Sequence, residues 1–484
     1  MSIKSKTQYP KGLPFLFLTE MWERFGFYVV QGMLVLYMTK AYGFSDDQSY
    51  TILGVFTALA YISPMVGGFL ADHLLGFKQA IVWGGFFLSA GYALLAVFSW
   101  MPGFYFALAT IIVGNGLFKP NISSLLGALY GPGVAGRDVG FTIFYIGINL
   151  GVLLAGLSSG FIKDHFGWHA GFALACIGLL FGLSIFALGI KKDAIKYDHS
   201  LPVQKNFFLR KSCLIVYCFI AIPLIAFFLG NTLLSKWFFP TLGVVLLAFV
   251  FGLAYKQAPL NRNRLLTLNI LIISSVIFWA IYWQMFFSVT LFIDRIIDKQ
   301  VFGITVPTTV FYTLESIFVI LSGPILVWLW QLLDENQCNP SSFIKFVLGI
   351  FSIGLAFLVL WLSTKFLDIN NLVSPLWIVL SYFLITLGEM LISPIGLSAV
   401  TMLSPVNLTG MMMGIWFVAL GFGGQLAGWL AKWSSVPESA NTIFLQLPYY
   451  RAAFLKYALL AFGVTIILFI IQSLFKKSLL QHET

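Results

Sequence analysis

The sequence predicts an all-α integral membrane protein, and three observations support this fold class. The chain of 484 residues is 59% hydrophobic and only 10% charged, with a mean hydropathy of +0.92, and a soluble protein could not bury so much apolar surface. The apolar runs are continuous over the length of a helix, which excludes the alternating strands of a membrane barrel. The net charge of +10 comes from basic residues that lie mostly in loops, so it indicates membrane topology and excludes a nucleic-acid partner.

Fourteen apolar segments of helix length follow one another along the chain. They cover residues 14–39, 48–71, 79–99, 103–129, 139–162, 168–189, 212–230, 238–255, 267–291, 305–332, 342–365, 375–402, 410–431 and 451–475. An even number of spans places both termini on one side of the bilayer. Of the 28 lysines and arginines, 17 lie in loops or at span ends on that side, 9 lie in loops or at span ends on the other, and Arg24 and Lys119 lie well inside spans. Because basic loops stay inside, both termini are expected to be cytoplasmic.

The pair of spans at 212–255 lies between two basic linkers and contains no ionisable residue within its spans. We interpret it as a hairpin inserted between two six-helix halves. The predicted domains are an N-terminal bundle at 1–190, the linkers and hairpin at 191–264, and a C-terminal bundle at 265–484. Two six-helix bundles are typical of a transporter with its substrate site between the halves, near the middle of the membrane.

Charged residues inside the first predicted span need a physical explanation, because each costs about 2.5–3.5 kcal/mol to insert. Glu20, Glu23 and Arg24 are spaced i, i+3, i+4, so they share one face of a helix. A structural ion pair would explain part of this pattern, but one arginine cannot neutralise two glutamates. Lys119, in the fourth span, is the further partner that the sequence offers. Together these four groups would form a coupled titrating set that can take up and release a proton.

Glu315 and Glu389 lie in the second half, where no lysine or arginine lies near the middle of a span. A buried carboxyl without a basic partner would be protonated, or would bind a cation such as an ammonium group. A basic wall in one half and an acidic wall in the other would bind the two ends of a zwitterion. The residues themselves therefore indicate a proton-linked carrier of a small zwitterionic solute, with the proton as coupling ion and no other cofactor.

Metal and enzyme chemistry find no support in the sequence. The four cysteines have no metal or redox spacing, and the five histidines lie at span ends, in loops or in the C-terminal tail. Neither a metal site nor an enzyme active site is therefore expected.

Several motifs resemble those of the proton-dependent oligopeptide transporters, the POT or PTR family of the major facilitator superfamily. EMWERFGFY at 20–28 resembles the family signature ExxERFxYY, and FYIGINLG at 144–151 resembles FYxxINxG. GGFLAD at 67–72 resembles the loop motif that the superfamily carries after its second span. Similar blocks lie at GLFKPN (116–121), FWA (278–280), GEMLISPIG (388–396) and GIW (414–416).

This resemblance implies the major facilitator fold of the bacterial type with two extra helices. It also implies import of di- and tripeptides by proton symport through alternating access, in the bacterial inner membrane, by a chain that functions as a monomer in the lipid bilayer. A carrier of another solute, such as an amino acid, a modified peptide or an anion, remains an alternative on the same fold. A receptor or channel without coupled transport is the alternative from another class.

The resemblance further implies roles for individual residues. Proton coupling and binding of the peptide carboxylate fall to Glu20, Glu23, Arg24 and Lys119, and Glu389 would bind the peptide amino group. The peptide cavity would be lined by Tyr28, Tyr61, Asn149, Trp279 and Trp416, although ordinary packing is the alternative for each aromatic side chain. Asp72 would serve the cytoplasmic gate.

Four positions depart from the family pattern. Phe27 replaces the first tyrosine of the signature, Gln31 stands where many members have arginine, and Trp283 stands where many have glutamate. That arginine and glutamate can pair in typical members, so losing both leaves neither without a partner. Glu315 stands where the family usually has asparagine. We hypothesise that it supplies a second-half carboxylate for the substrate ammonium or for an added protonation site; the alternative is a protonated glutamate hydrogen-bonded to a neighbouring helix.

Overall fold

The computed structural model describes residues 9–130, 136–196, 207–405 and 408–480. The α-helices of this part are α1 Leu13–Lys40, α2 Asp46–Leu70, α3 Phe77–Val97, α4 Met101–Tyr130, α5 Arg137–Phe166, α6 Trp168–Lys191, α7 Phe207–Gly230, α8 Thr232–Tyr255, α9 Pro259–Tyr282, α10 Ser288–Ile296, α11 Thr313–Glu335, α12 Ser342–Ser363, α13 Leu376–Leu403, α14 Thr409–Ala431 and α15 Ile443–Leu480. A π-helical turn, Ala71–Leu75, extends α2. Two short antiparallel strands, β1 Gln300–Val301 and β2 Ile304–Thr305, pair Gln300 with Thr305. Residues 1–8 and 197–206, part of the predicted polar N-terminus and first basic linker, lie outside the described residues.

The structure confirms the all-α membrane fold class. Twelve helical segments of the described chain are long and apolar enough to cross a membrane. Two more helices complete the fourteen predicted spans: α7, whose apolar stretch Leu214–Gly230 is shorter, and α1, which contains three charged residues near its middle.

The predicted span at 267–291 is not one uninterrupted helix. Its first part, α9, ends at Tyr282, and a 3₁₀ turn and the non-helical Phe287 separate it from α10. Gln284 accounts for the break, because its Nε2 donates to the carbonyl oxygens of Ala280 and Ala427, each at 3.0 Å. Ser288 Oγ then donates to Gln284 Oε1 at 2.7 Å. Side-chain hydrogen bonds thus replace part of the helical backbone pattern.

Contacts divide the chain into two compact units. The first contains the residues up to Met33 together with Leu59–Gly230. Within it α3 packs against α4 and α6, and α4 also packs against α7. Leu214 and Cys218 of α7 join a buried cluster with Val113 and Leu117 of α4. The first helix of the predicted hairpin is therefore part of this unit.

The second unit contains Leu34–Ala58 and the chain from Asn231 onward. Within it α12 packs against α13 and α15, and α14 packs against α9. The second hairpin helix, α8, packs against α9 and α14. The units divide α1 and α2 within their length, so they describe packing, and the domain boundaries at 190 and 264 stay predictions.

A buried ion pair joins α2 to α10 within the second unit. Asp46, the first residue of α2, is 4% exposed. Both of its carboxylate oxygens accept from Arg295, each at 2.7 Å. Arg295 also donates to the Tyr450 hydroxyl at 3.0 Å, and the backbone N–H of Val436 donates to Asp46 at 3.0 Å. Two further segments of the same unit, at Tyr450 and at Val436, thus anchor this bidentate pair.

Candidate functional site

Three charged residues of α1 form a buried cluster. Glu20, Glu23 and Arg24 are 2%, 0% and 3% exposed. Arg24 Nε and Nη2 donate to the two oxygens of Glu23 at 2.5 and 2.7 Å, a bidentate arrangement. Arg24 Nε also lies 3.5 Å from Glu20 Oε1, while Glu20 Oε2 is buried without a hydrogen-bond partner among the described side chains. Glu23 is therefore fully paired with the arginine, and Glu20 is only partly paired.

Asn115 of α4 connects this cluster to α2, and sequence reasoning did not single it out. Arg24 Nη2 donates to its Oδ1 at 3.3 Å, and its Nδ2 donates to the carbonyl oxygen of Ala60 at 2.7 Å. Asn115 precedes Lys119 by four residues, so the two share a helix face. A polar amide one turn before an intramembrane lysine is the sequence signal that could have identified it.

Lys119 follows Asn115 by one helical turn, on the face of α4 that contacts the cluster through Asn115. Its Nζ stands 4.1 Å from the centre of the Tyr61 ring, a cation–π contact. Among residues 9–130 and the other described ranges, no carboxylate lies within salt-bridge distance of this ammonium. Lys119 is thus a partly buried amine that forms no ion pair with any residue the structure describes.

Gly151 of the FYIGINLG motif allows α5 to approach α1 beside the cluster. A Cβ at this position would collide with the carbonyl oxygen of Met21 and would lie 3.1 Å from Arg24 Cβ. The glycine is therefore required by close backbone contact at the height of the charged residues.

We expect Gly151→Ala to destabilise the protein by about 1–3 kcal/mol, because the added methyl group overpacks the α1–α5 contact. Gly463→Ala in α15 is a matched control, since a Cβ at Gly463 meets open space. The control should be neutral or stabilising, by up to about 1 kcal/mol, through helix propensity. Thermal unfolding of both variants in detergent measures the difference, and equal melting temperatures would contradict the contact.

Two other residues of the first unit were predicted to line the cavity. Tyr28 is partly buried and interacts electrostatically with Arg24. Asn149 is 4% exposed, and its Nδ2 donates to the Tyr145 carbonyl oxygen in its own helix at 3.0 Å. Phe27, the departure from the family signature, lies with its ring centre 5.1 Å from the Arg24 guanidinium carbon. An aromatic ring without a hydroxyl therefore contacts the arginine through its face.

The second unit contains a pair of carboxyl groups, from Glu315 in the first turn of α11 and Glu389 in α13. The helices α11 and α13 pack against each other within this unit. Ser316 Oγ donates to Glu315 Oε2 at 3.2 Å, and Glu315 is 7% exposed. The sequence predicted both carboxyls but not the packing of their helices.

The predicted tryptophans of the second unit are both buried. Trp279 is 6% exposed, and its Nε1 has no hydrogen-bond partner among the described residues. Trp416 is 2% exposed; it packs against Phe346, and its ring occupies the space beside Gly396. In this conformation Trp416 is a packing residue, and its contact with a substrate stays a prediction.

Three positions of interest remain. Gln31 and Trp283 are 1% and 2% exposed, each within its own unit. Asp72 lies in the π-helical turn after α2, where it is exposed and forms no ion pair with any residue the structure describes. An exposed aspartate at a helix end is compatible with a gating role, which stays a prediction.

The family of the chain follows from comparison with known proteins. A family model described as the POT family matches residues 78–446. The chain belongs to the POT family. Because this is a family of transporters, the expectation that the protein is no enzyme is confirmed.

Curated relatives and solved structures agree with this assignment. The chain is 34% identical to peptide transporter YePEPT of Yersinia enterocolitica, over 87% of each chain. It is also 34% identical to dipeptide and tripeptide permease B of Salmonella typhimurium, over 95% of this chain and 94% of the relative. A crystal structure of a variant of the peptide transporter POT with alafosfalin matches with a TM-score of 0.85 and 31% identity, over 97% of this chain and 96% of that one. A bacterial homologue of the human drug peptide transporters PepT1 and PepT2 matches with a TM-score of 0.86 and 30% identity, over 97% of this chain and 99% of that one. The likeness confirms the major facilitator fold of a multi-pass membrane transporter.

Proposed function

We propose that this member of the POT family is a proton-coupled symporter that imports di- and tripeptides by alternating access. The observation that carries the proposal is the division of charge: one unit contains a lysine that forms no ion pair with any described residue, and the other contains two carboxyls. A peptide zwitterion offers the complementary groups, a carboxylate and an ammonium. The names of the peptide transporter and permease relatives support the same substrate class.

In this proposal Lys119 binds the peptide carboxylate. Its ammonium is partly buried and has an aromatic ring, not a carboxylate, as its described neighbour. Arg24 already donates to Glu23 through Nε and Nη2 and to Asn115 through Nη2, so it is less available. A charge-assisted hydrogen bond from Lys119 would contribute about 1.5–3 kcal/mol to peptide affinity.

Charge balance couples this binding to a proton. With all four groups ionised, Glu20 and Glu23 offset Arg24 and Lys119. A bound carboxylate adds one negative charge in a region of low dielectric constant, and protonation of one glutamate restores neutrality. Glu20 is the better proton acceptor of the two, because one of its oxygens lacks a donor among the described residues. One proton would therefore accompany each peptide.

Other residues complete the proposed site. Glu389 and Glu315 bind the peptide ammonium. The path of the substrate is lined, in at least one conformation, by Tyr28, Tyr61, Asn149, Trp279 and Trp416. Asp72 takes part in the cytoplasmic gate, and no cofactor other than the proton is involved.

A membrane potential contributes about 2.3 kcal/mol per charge per 100 mV. At roughly 150 mV one proton would support accumulation of a few hundred-fold.

The location and assembly of the protein belong to the same proposal. The bacterial relatives support the inner membrane, and the excess of basic residues in the loops beside the termini supports cytoplasmic N- and C-termini. Each complete chain supplies both the basic and the acidic groups, so we propose that a monomer in the lipid bilayer is functional.

Uptake into proteoliposomes with an imposed pH gradient tests this function. Labelled dialanine should accumulate when the outside is acidic, and collapse of the gradient with a protonophore should abolish accumulation. Di- and tripeptides should compete, whereas free amino acids, N-acetylated peptides and simple anions should not. Competition by one of those solutes alone would identify a different cargo, and current without a gradient would identify a channel.

A further inference from the structure

An apolar groove lies between α8, α9 and α14, inside the second unit. Its volume is about 280 Å³, whereas packed protein interiors rarely leave a void larger than a water molecule. Every residue that lines it is apolar; Leu246 and Val250 of α8, Ile273 of α9 and Phe422 of α14 are examples. One side is open, and Leu247, which also lines the groove, is 42% exposed. A void without polar groups does not hold water, so inside a membrane this groove is suited to a hydrocarbon chain.

The helix α8 is held against α9 at one end of the groove and is exposed along its outer face. Asn269 of α9 is 1% exposed, and its Nδ2 donates to the carbonyl oxygen of Val250 at 3.2 Å. Outside the groove, Val244 and Val245 of α8 are 66% and 58% exposed. Exposed apolar side chains of a membrane helix contact acyl chains. Lipid therefore has direct access to the groove.

Three basic residues lie where the chain passes from α8 to α9. Lys256 directly follows α8, and Arg262 and Arg264 lie in the first two turns of α9. None of the three forms an ion pair with a residue that the structure describes. The sequence contains no aspartate or glutamate from Asn231 to Ile293. This part of the chain therefore does not neutralise its own positive charge.

The distance between these basic residues and the groove matches the layout of a phospholipid. At 1.5 Å per residue, Lys256 lies about 9 Å beyond Val250 along α8, and Arg264 lies about 12 Å before Ile272 along α9. The groove continues from Val250 to Gly243, about 10 Å further along α8. Half of the hydrocarbon core of a bilayer is about 15 Å thick. An acyl chain that leaves a headgroup at the basic end thus enters the groove within its own leaflet.

We propose that an anionic phospholipid binds here, with one acyl chain in the groove and its phosphate beside Lys256, Arg262 and Arg264. The chain fills the space that α8, α9 and α14 leave between them, and the phosphate supplies the missing negative charge. Each basic residue near an anionic headgroup favours binding by about fivefold. The lipid belongs to the cytoplasmic leaflet in the proposed topology, and its binding does not depend on which solute the protein transports.

Native mass spectrometry of the delipidated full chain in detergent measures the affinity for single lipids. Dioleoylphosphatidylglycerol should bind at least about tenfold more tightly than dioleoylphosphatidylcholine, which has the same chains and a zwitterionic headgroup. Glycerophosphoglycerol, the same headgroup without chains, should bind at least about 100-fold more weakly, because each buried CH₂ adds about fourfold. Equal affinity for the two lipids would overturn the role of the basic residues. Equally tight binding of glycerophosphoglycerol would indicate a site for phosphate alone and would overturn the role of the groove.

Charge variants separate this site from a general attraction to basic loops. Arg262→Gln/Arg264→Gln should lower the affinity for phosphatidylglycerol at least about tenfold and change that for phosphatidylcholine less than about threefold. The matched control Lys191→Gln/Lys192→Gln removes two exposed basic residues at the end of α6 and should leave both affinities unchanged. An equal loss in the control would mean that phosphatidylglycerol responds only to the net charge of the protein, and the proposed site would be wrong.

Variants of α8 test the groove itself. Leu246→Trp places a larger side chain in the groove and should lower the affinity for both lipids about tenfold, the loss of roughly two buried CH₂ groups. Val244→Trp places the same side chain on the exposed face of α8 and is the matched control, with no expected change. Wild-type affinity in Leu246→Trp would overturn the proposal. If Leu246→Trp does not fold, the comparison of phosphatidylglycerol with glycerophosphoglycerol on the wild type still decides whether an acyl chain is bound.

Discussion

Replacing Lys119 with alanine is expected to lower proton-driven dipeptide uptake by at least about 100-fold, since a peptide carboxylate would lose its charged partner in a largely desolvated site. The same change leaves two glutamates against one arginine, so the cluster of α1 loses its charge balance. Counterflow of peptide should be lost as well, because binding itself is affected. This distinguishes Lys119→Ala from variants that impair only proton movement.

Two further variants make the Lys119 result specific. Lys119→Arg keeps the positive charge and should restore part of the binding, although the guanidinium is larger and its geometry differs. Lys236→Ala removes an exposed lysine of α8 and should leave uptake unchanged. Binding of dialanine to purified protein, measured by calorimetry, separates affinity from turnover. Uptake by Lys119→Ala within twofold of wild type would remove the basis of the proposed coupling.

The sequence predicted the features that depend on helical period and hydropathy. The spacing of Glu20, Glu23 and Arg24 places them on one helix face wherever that helix packs, so their clustering follows without coordinates. The span count follows equally from lengths of apolar sequence. Such predictions need only local geometry and the energetic cost of placing charge in a membrane.

Other features depend on contacts between helices that no local pattern specifies. Asn115 bonds to Arg24 across 91 residues of sequence. Trp416 lies in a motif that matches the family, and this match predicts that it lines the peptide cavity. In this conformation, however, its ring is buried against Gly396. The break after α9 was also not predictable from glycine or proline, because Gln284 and Ser288 produce it through side-chain hydrogen bonds.

Asp46→Asn is expected to lower the free energy of unfolding by about 2–4 kcal/mol. This loss is somewhat smaller than that for a fully buried ion pair, because the Arg295 side chain is 23% exposed and can still be partly hydrated when its partner is removed. The asparagine retains one acceptor for the backbone N–H of Val436, so the loss should come from the bidentate contact. Denaturant unfolding in detergent, followed by tryptophan fluorescence, measures the change.

Asp47→Asn is the matched control because Asp47 is the next residue in the same helical turn and carries the same charge. Its partner Lys432 lies at 2.9 Å, but the two side chains are 57% and 32% exposed, and such pairs contribute about 0–1 kcal/mol. Both aspartates stand at the start of α2, so any interaction with the helix dipole is similar in the two variants. Salt should weaken the effect of Asp47→Asn and leave that of Asp46→Asn nearly unchanged. Equal destabilisation by the two substitutions would mean that burial of the Asp46–Arg295 pair does not determine the stability of this part of the second unit.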